Sequence, residues 1–197
     1  MTNVLTFKVE VEGLENKIWR IIETTDKRTV ADLAYTILTT FDSLAYHLYA
    51  IYHGYDRYDC MIDPIKLTRY NFKDAVATKL EKIDFSANNK MTMEYDFGST
   101  NTFIITLIKT RQLEKYNANH YPYIIKGQGR GILDDISSDD LKEIVNDIDK
   151  KGKSNHDFTP GYERPIKYDY RDYNIKTDNY LLKGEMSLIK DNYERYY

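Results

Sequence analysis

The triplet Asp96-Phe97-Gly98, within "YDFGSTNTF" at 95–103, contains the residue types that hold magnesium in protein kinases. Kinase chemistry also needs a glycine-rich loop and a lysine strand upstream, and a His-Arg-Asp catalytic loop. None is present, and the one glycine-rich segment, "GQGRG" at 127–131, lies downstream. The triplet therefore reads as a strand-end turn. Phe97 is expected to pack inward, Gly98 to supply an uncommon backbone conformation, and Asp96 to bond the turn backbone. Asp96 becomes a ligand only if a metal is found there.

Other groups carry weaker chemistry. Gly127 and Gly129 would let backbone amides approach a phosphate. Residues 132–136 intervene before the next helix, however, and Asp134 and Asp135 would repel an anion, so a plain loop is the better reading. Asp134, Asp135, Asp139 and Asp140 have the oxygen ligands a divalent ion takes. Yet Asp139 and Asp140 are spoken for by a helix start, and adjacent Asp134 and Asp135 point to opposite faces of an extended segment. His47, His53, Asp59, Cys60 and Asp63 make the best metal-ligand set on paper. On one strand His47 and His53 would stand about 20 Å apart, which leaves His53, Asp59 and Cys60 across a turn as the metal candidates. Cys60 as a nucleophile would need a histidine beside it, and nothing places one of the four there. A buried, idle thiol is the default.

The elements that must position these residues follow from periodicity. Leu5, Phe7, Val9 and Val11 alternate with polar residues, and "KIWRIIET" follows a turn around Gly13, so the chain opens with a β-hairpin. Thr29 and Asp32 form a capping box for an amphipathic helix over 30–41 carrying Val30, Leu33, Ile37, Leu38 and Phe41. "YHLYAIYHGYDRY" reads as a strand ending at Gly54. Residues 55–90 read as loops and short elements. "MTMEYDF" and "TFIITLIKT" read as a second strand pair. Leu141, Ile144, Val145 and Ile148 mark a second helix, capped by Ser137 or Ser138, with acids in its first turn, Lys150 and Lys151 in its last, and Gly152 closing it.

Length and composition bound the rest. The 197 residues suit one domain able to bury a core without staples. A single cysteine excludes an internal disulfide or a multi-cysteine zinc site. It points to a reducing, cytoplasmic setting, as does an opening without a signal-peptide core. No apolar run reaches membrane-spanning length. A net charge of −3 and a pI near 5.8 argue against a generally basic nucleic-acid binder. The 19 tyrosines, against one tryptophan, are the unusual feature. In the C-terminal part Tyr162, Tyr168, Tyr170 and Tyr173 interleave with Arg164 and Arg171. That mixture suits a protein hot spot, and secondarily base stacking with phosphate contact.

The order of these pieces resembles the plasmid pRiA4b ORF-3-like family, passenger proteins of insertion elements. The likeness rests on "FKVEVEGLENKIWRIIE", "TVADLAYTILTTFD", "YHLYAI", "TKLEKI", "YDFGS", "GQGRGILDD" and "DYNIKTDNYL", spread over residues 4–182. The structural signature in this chain is Asp96, Phe97, Gly98, Gly127, Gly129, Asp134 and Asp135. The family's Asp-Phe-Gly-Asp-x-Trp-x-His has Ser99, Asn101 and Phe103 at its last three marked positions here, and its Gly-Gly after the acidic pair is Ser137-Ser138. A site built on that second Asp and that His would be lost. The resemblance implies an α+β fold and an association with mobile elements or phages, and no established activity.

The expectation is a single α+β domain over 1–182. It has a mostly antiparallel sheet with an N-terminal hairpin, two main helices and an irregular Tyr-rich C-terminal segment, with 183–197 as a tail, short helix or disordered. The functional expectation is a non-catalytic module of a mobile element or phage. It would bind another protein, such as part of a host nucleic-acid or defence machine, without a cofactor. Nucleic-acid binding and a metal-dependent hydrolase with a divalent metal are the alternatives.

Overall fold

The computed structural model describes residues 1–61, 70, 72–114, 120–153, 157–158 and 166–195. Strands β1 (Asn3–Val11) and β2 (Trp19–Thr25) form the expected hairpin, closed by the Val11 N–H to Ile18 C=O hydrogen bond. Helix α1 (Val30–Thr40) starts at Thr29, whose side chain accepts from the Asp32 N–H while Asp32 accepts from the Thr29 N–H. Then come β3 (Tyr49–His53), β4 (Asp56–Asp59), β5 (Phe72–Asp74), a 3-10 turn (Leu80–Lys82), β6 (Lys90–Tyr95), β7 (Asn101–Gln112) and β8 (Tyr123–Gln128). Helix α2 (Ser138–Lys151), the short pair β9 (Asp157–Phe158) and β10 (Ile166–Lys167), and helix α3 (Ile175–Glu194) complete the order.

Eight strands make one sheet in the order β5-β4-β3-β6-β7-β1-β2-β8, antiparallel throughout except β4 with β5. The fold is α+β. Alternation puts Phe7, Val9, Val11, Ile22, Met91, Met93, Phe103 and Ile105 on a single buried face. Every residue of α1 is buried. Helix α3 is what covers it: Tyr35 stacks on Tyr193, Thr36 bonds the Met186 sulfur, and Lys190 pairs with Asp32.

Helix α3 corrects the expectation of an irregular C-terminal segment. Its buried stripe is only Leu182, Met186 and Ile189, and the exposed Tyr180, Leu181 and Leu188 blur its periodicity in the sequence. The 182/183 boundary therefore falls inside a helix. Asn174 caps that helix, and the Asn179 amide pairs with both the N–H and C=O of Ile124, closing the edge strand β8. Strand β8 carries little periodicity in the sequence, with Ile124 and Ile125 adjacent and Gly127 near its end. The expected strand through residues 46–53 begins only at Tyr49. Residues 44–48 are a loop, with Ala45 at φ 55°, and Gly54 at φ 59° turns β3 into β4. The second helix keeps its expected caps, Ser137 and a left-handed Gly152.

Arg20 lies on the buried face of β2, 1% exposed. Its guanidinium donates to the carbonyls of Trp19, Thr40, Gln128 and Gly129, and stacks 3.8 Å from the Tyr173 ring centroid. Asp178 approaches to 4.0 Å. Gly127 is required here because a Cβ would lie 2.8 Å from Arg20 Cδ and 2.7 Å from the Tyr173 hydroxyl. At Gly131 a Cβ would lie 1.8 Å from the Phe41 carbonyl oxygen. The glycines of "GQGRG" thus serve close packing.

Replacing Arg20 strands buried carbonyls and the Asp178 charge. Arg20→Met is expected to lower the unfolding free energy by about 3–5 kcal/mol in urea titrations. Burial, opposed by Arg20 and reinforced by Asp42, pushes the Asp178 carboxyl up to about 6. The folded chain then holds that proton more tightly than the unfolded chain, whose aspartate titrates near ~3.9. Its contribution is full below the unfolded value and is lost as pH rises through about 6. Asp178→Asn is expected to flatten the stability profile across that window, read as urea midpoints at successive pH values.

Candidate functional site

The α1–β3 connection is held from the far side of the chain. Asp134, 8% exposed, accepts from the Ser43 hydroxyl at 2.9 Å, the Leu44 N–H at 2.8 Å and the Tyr95 hydroxyl at 2.6 Å. Ser43 Oγ in turn accepts from the Ala45 N–H. Burial, and then Asp134, drive the Tyr95 hydroxyl well above its ordinary value, so it stays a donor. The loop 43–48 is thereby fixed against the end of β6.

That arrangement brings His47 to Asp96 and Asp135. His47 Nε2 lies 2.8 Å from Asp135 Oδ1 and 3.5 Å from Asp96 Oδ2. Tyr46 donates to the other oxygen of Asp135. This bond, then His47, holds the Asp135 carboxyl below the usual range, while burial and then Asp135 push the Tyr46 hydroxyl up. Asp96 takes its N–H to the Leu48 carbonyl and accepts from the Gly98 N–H at 3.0 Å. Its φ is 58° and that of Asp135 is 64°, left-handed conformations that aspartate tolerates better than most residues. The His47 ring lies between the rings of Tyr46 and Tyr95, at 4.3 and 5.8 Å, and the Tyr193 hydroxyl donates to the His47 carbonyl.

Around this cluster apolar side chains are turned outward. Leu44, Tyr46, Leu48 and Phe97 are 44–47% exposed. They come from two segments joined by the Asp96–Leu48 backbone bond. Phe97 therefore does not pack inward as expected. The left-handed residue of the turn is Asp96, which swings Phe97 out toward the Arg57 guanidinium. The expected Asp96-to-turn hydrogen bond is present.

The three sequence-derived metal ligands are not brought together. His53 Nε2 bonds the Asn88 carbonyl, Asp59 pairs with Arg57, and Cys60 Sγ accepts from the Tyr49 N–H. The register explains it: His53 faces Asp56, and Asp59 faces Ala50. Asp63 lies outside the described residues. The Asp134–Asp135 pair does split as expected, one inward and one outward. Asp140 bonds the Ser137 hydroxyl, and Asp139 sits in the first turn of α2.

The aromatic–basic surface is also corrected. Tyr168 is 1% exposed and donates to the Gly131 carbonyl; Tyr170, 8% exposed, donates to Asp149. Tyr173 stacks on Arg20, and Arg171 is engaged by Asp169 and the Gly152 carbonyl at the end of α2. Tyr168 and Tyr170 are thus core, and the half-buried Tyr173 ring is taken up by Arg20. Tyr162 and Arg164 lie outside the described residues. Sequence reasoning passed over His47 with Asp96 and Asp135. The available signal was that "YHLYAI", "YDFGS" and "GILDD" are three of the short segments that carried the family likeness.

A sequence profile of the plasmid pRiA4b ORF-3-like protein family matches residues 3–177. No curated protein matches the chain. The crystal structure of a protein of unknown function from Methanosarcina mazei Go1 is similar, with a TM-score of 0.66 at 19% identity. The match covers 88% of this chain and 99% of that one. At that identity the likeness concerns the fold. No described helix is long and apolar enough to cross a membrane.

Burial pushes the Cys60 thiol up to about 11. Native protein at pH 8 is expected to react with a thiol reagent at least ~100-fold more slowly than the urea-unfolded chain, whose thiol titrates near ~8.5. Stopped-flow labelling checks it; equal rates would place Cys60 in an exposed, activated setting.

Proposed function

The chain belongs to the plasmid pRiA4b ORF-3-like protein family, and from that premise we propose that it is a non-catalytic binding protein of a mobile element or phage. It acts in the cytoplasm by docking another protein, with a component of a host nucleic-acid or defence machine as the partner class. The docking surface is the one formed by Leu44, Tyr46, Leu48 and Phe97.

One observation carries this reading: four large apolar side chains, each close to half exposed, on two adjoining loops that are rigidly anchored. Scattered exposed leucines need no explanation, but a group rimming a polar centre is the usual anatomy of a protein interface. Anchoring adds to it, because a loop already fixed loses little conformational freedom on binding. The partner surface that fits is an apolar segment with N–H donors or a cationic group to meet Asp135, whose side chain is 55% exposed.

The test is capture from a host lysate followed by titration with the purified partner. Wild-type protein is expected to saturate with one partner, and Leu48→Asp combined with Phe97→Ser to weaken binding at least ~10-fold, because hot spots lie at such centres. Arg171→Ala, remote from this surface, is expected to bind normally. No saturable partner, or one whose affinity ignores the loop substitutions, would count against the reading.

A further inference from the structure

We infer that His47, Asp96 and Asp135 form a binding site for one divalent transition-metal ion of the zinc or manganese type. The inference stands apart from the docking reading; either can hold without the other.

The geometry is the first ground. One atom from each of the three side chains lies within 4.8 Å of the others, and this is the group of that kind among the described residues. An ion held at about 2.0–2.2 Å by a ring nitrogen and two carboxylate oxygens sets those atoms roughly 3–3.5 Å apart. The observed separations from His47 Nε2 are 3.5 Å to Asp96, within that spacing, and 2.8 Å to Asp135, a hydrogen bond that a bound ion would open by a few tenths of an ångström.

The second ground is an acceptor left over. The Asp96 side chain is 8% exposed. Its Oδ1 takes the Gly98 N–H, whereas Oδ2 accepts no hydrogen bond from any described residue and faces His47 Nε2. That nitrogen carries at most one proton, and the shorter contact directs it to Asp135. An oxygen of a largely buried aspartate thus faces a nitrogen whose proton serves another acid, an arrangement that a cation between them would stabilise. A cation in place of the Nε2 proton satisfies both carboxylates and the nitrogen lone pair together.

Neighbouring groups hold the two carboxylates and the histidine backbone in place. The Gly98 N–H orients Asp96, the Tyr46 hydroxyl orients Asp135, and the Tyr193 hydroxyl holds the His47 backbone. Asp134 fixes the loop that carries His47 and adjoins Asp135 in sequence. Entry is open, because His47 and Asp135 are partly exposed while Asp96 forms the floor. One nitrogen and two oxygens suit Zn2+ or Mn2+; the nitrogen makes Ca2+ and Mg2+ poorer fits. Three protein ligands leave at least one position for water or an incoming donor.

The experiment is equilibrium dialysis of untagged, chelator-stripped protein against Zn2+ and, separately, Mn2+, with metal read by plasma mass spectrometry. Thermal melts run in parallel. The expected result is one ion per chain, with the melting midpoint raised by roughly 5 °C or more at about 100-fold excess over Kd. His47→Ala, Asp96→Asn and Asp135→Asn are each expected to weaken binding at least ~10-fold, and His53→Ala to leave it unchanged. Asp135→Asn is the safeguard against misfolding, since its side chain is 55% exposed and circular dichroism can verify the fold. Less than about 0.1 ion per chain for both metals, or one-to-one binding that survives all three substitutions, overturns the site.

Discussion

Asp134 is a carboxylate buried among apolar neighbours, and its three short hydrogen bonds join segments far apart in sequence. A buried anion is tolerable only when donors surround it, and these donors come from the α1–β3 loop and the end of β6. Satisfying one charge therefore fixes where the helix exit, the central sheet and the approach to α2 meet. The fold gathers its functional candidates at that junction. His47 lies in the loop that Asp134 holds, Asp96 follows the Tyr95 that bonds it, and Asp135 is its chain neighbour turned outward by a positive φ. A second buried charge, Arg20, does the matching task further along the same segment, drawing the Gln128 and Gly129 carbonyls to β2 and the α1 terminus.

What the sequence made legible is what short-range physics controls. The hairpin, the capping box at Thr29 and Asp32, and α2 with Ser137 and Gly152 at its ends all come from local periodicity and terminal chemistry. The failures share a different cause. Residues 46–48 look like strand because Tyr and Leu favour extended structure, but Asp134, some ninety positions away, holds the preceding Leu44 and keeps them in a loop. Helix α3 spreads its apolar residues over several faces and leaves Tyr180, Leu181 and Leu188 exposed, so its three buried residues stand out only once α1 is there to receive them. Phe97 reads as core because aromatics usually are, whereas the positive φ at Asp96 turns it outward. The tyrosines read as a surface because they interleave with arginines, yet the Tyr168 and Tyr170 hydroxyls find carbonyl and carboxylate partners within the fold.

The candidate site was legible only in pieces. Each of its three acidic or imidazole residues lies in a segment that carries the family likeness, but separations that reach 88 residues in the chain hide their convergence. The expected metal ligands, His53, Asp59 and Cys60, were close in sequence and were separated by register. The departures at Ser99, Asn101 and Phe103 fall outside the convergence: Asn101 bonds the Ile136 carbonyl and Phe103 packs on Phe41. The cluster that remains adjoins the outward side chains of Tyr46, Leu48 and Phe97 in the chain, so an ion and a partner protein would meet in the same region.

The central claim is that a buried carboxylate at position 134 assembles His47, Asp96 and Asp135 around one point in space. Anomalous diffraction from a crystal soaked in Zn2+ tests it most directly. The account predicts a single strong peak about 2.0–2.2 Å from His47 Nε2 and from one oxygen each of Asp96 and Asp135. A peak at His53, Asp59 or Cys60, or none at the His47 cluster in a crystal whose Asp134 contacts are intact, would contradict it.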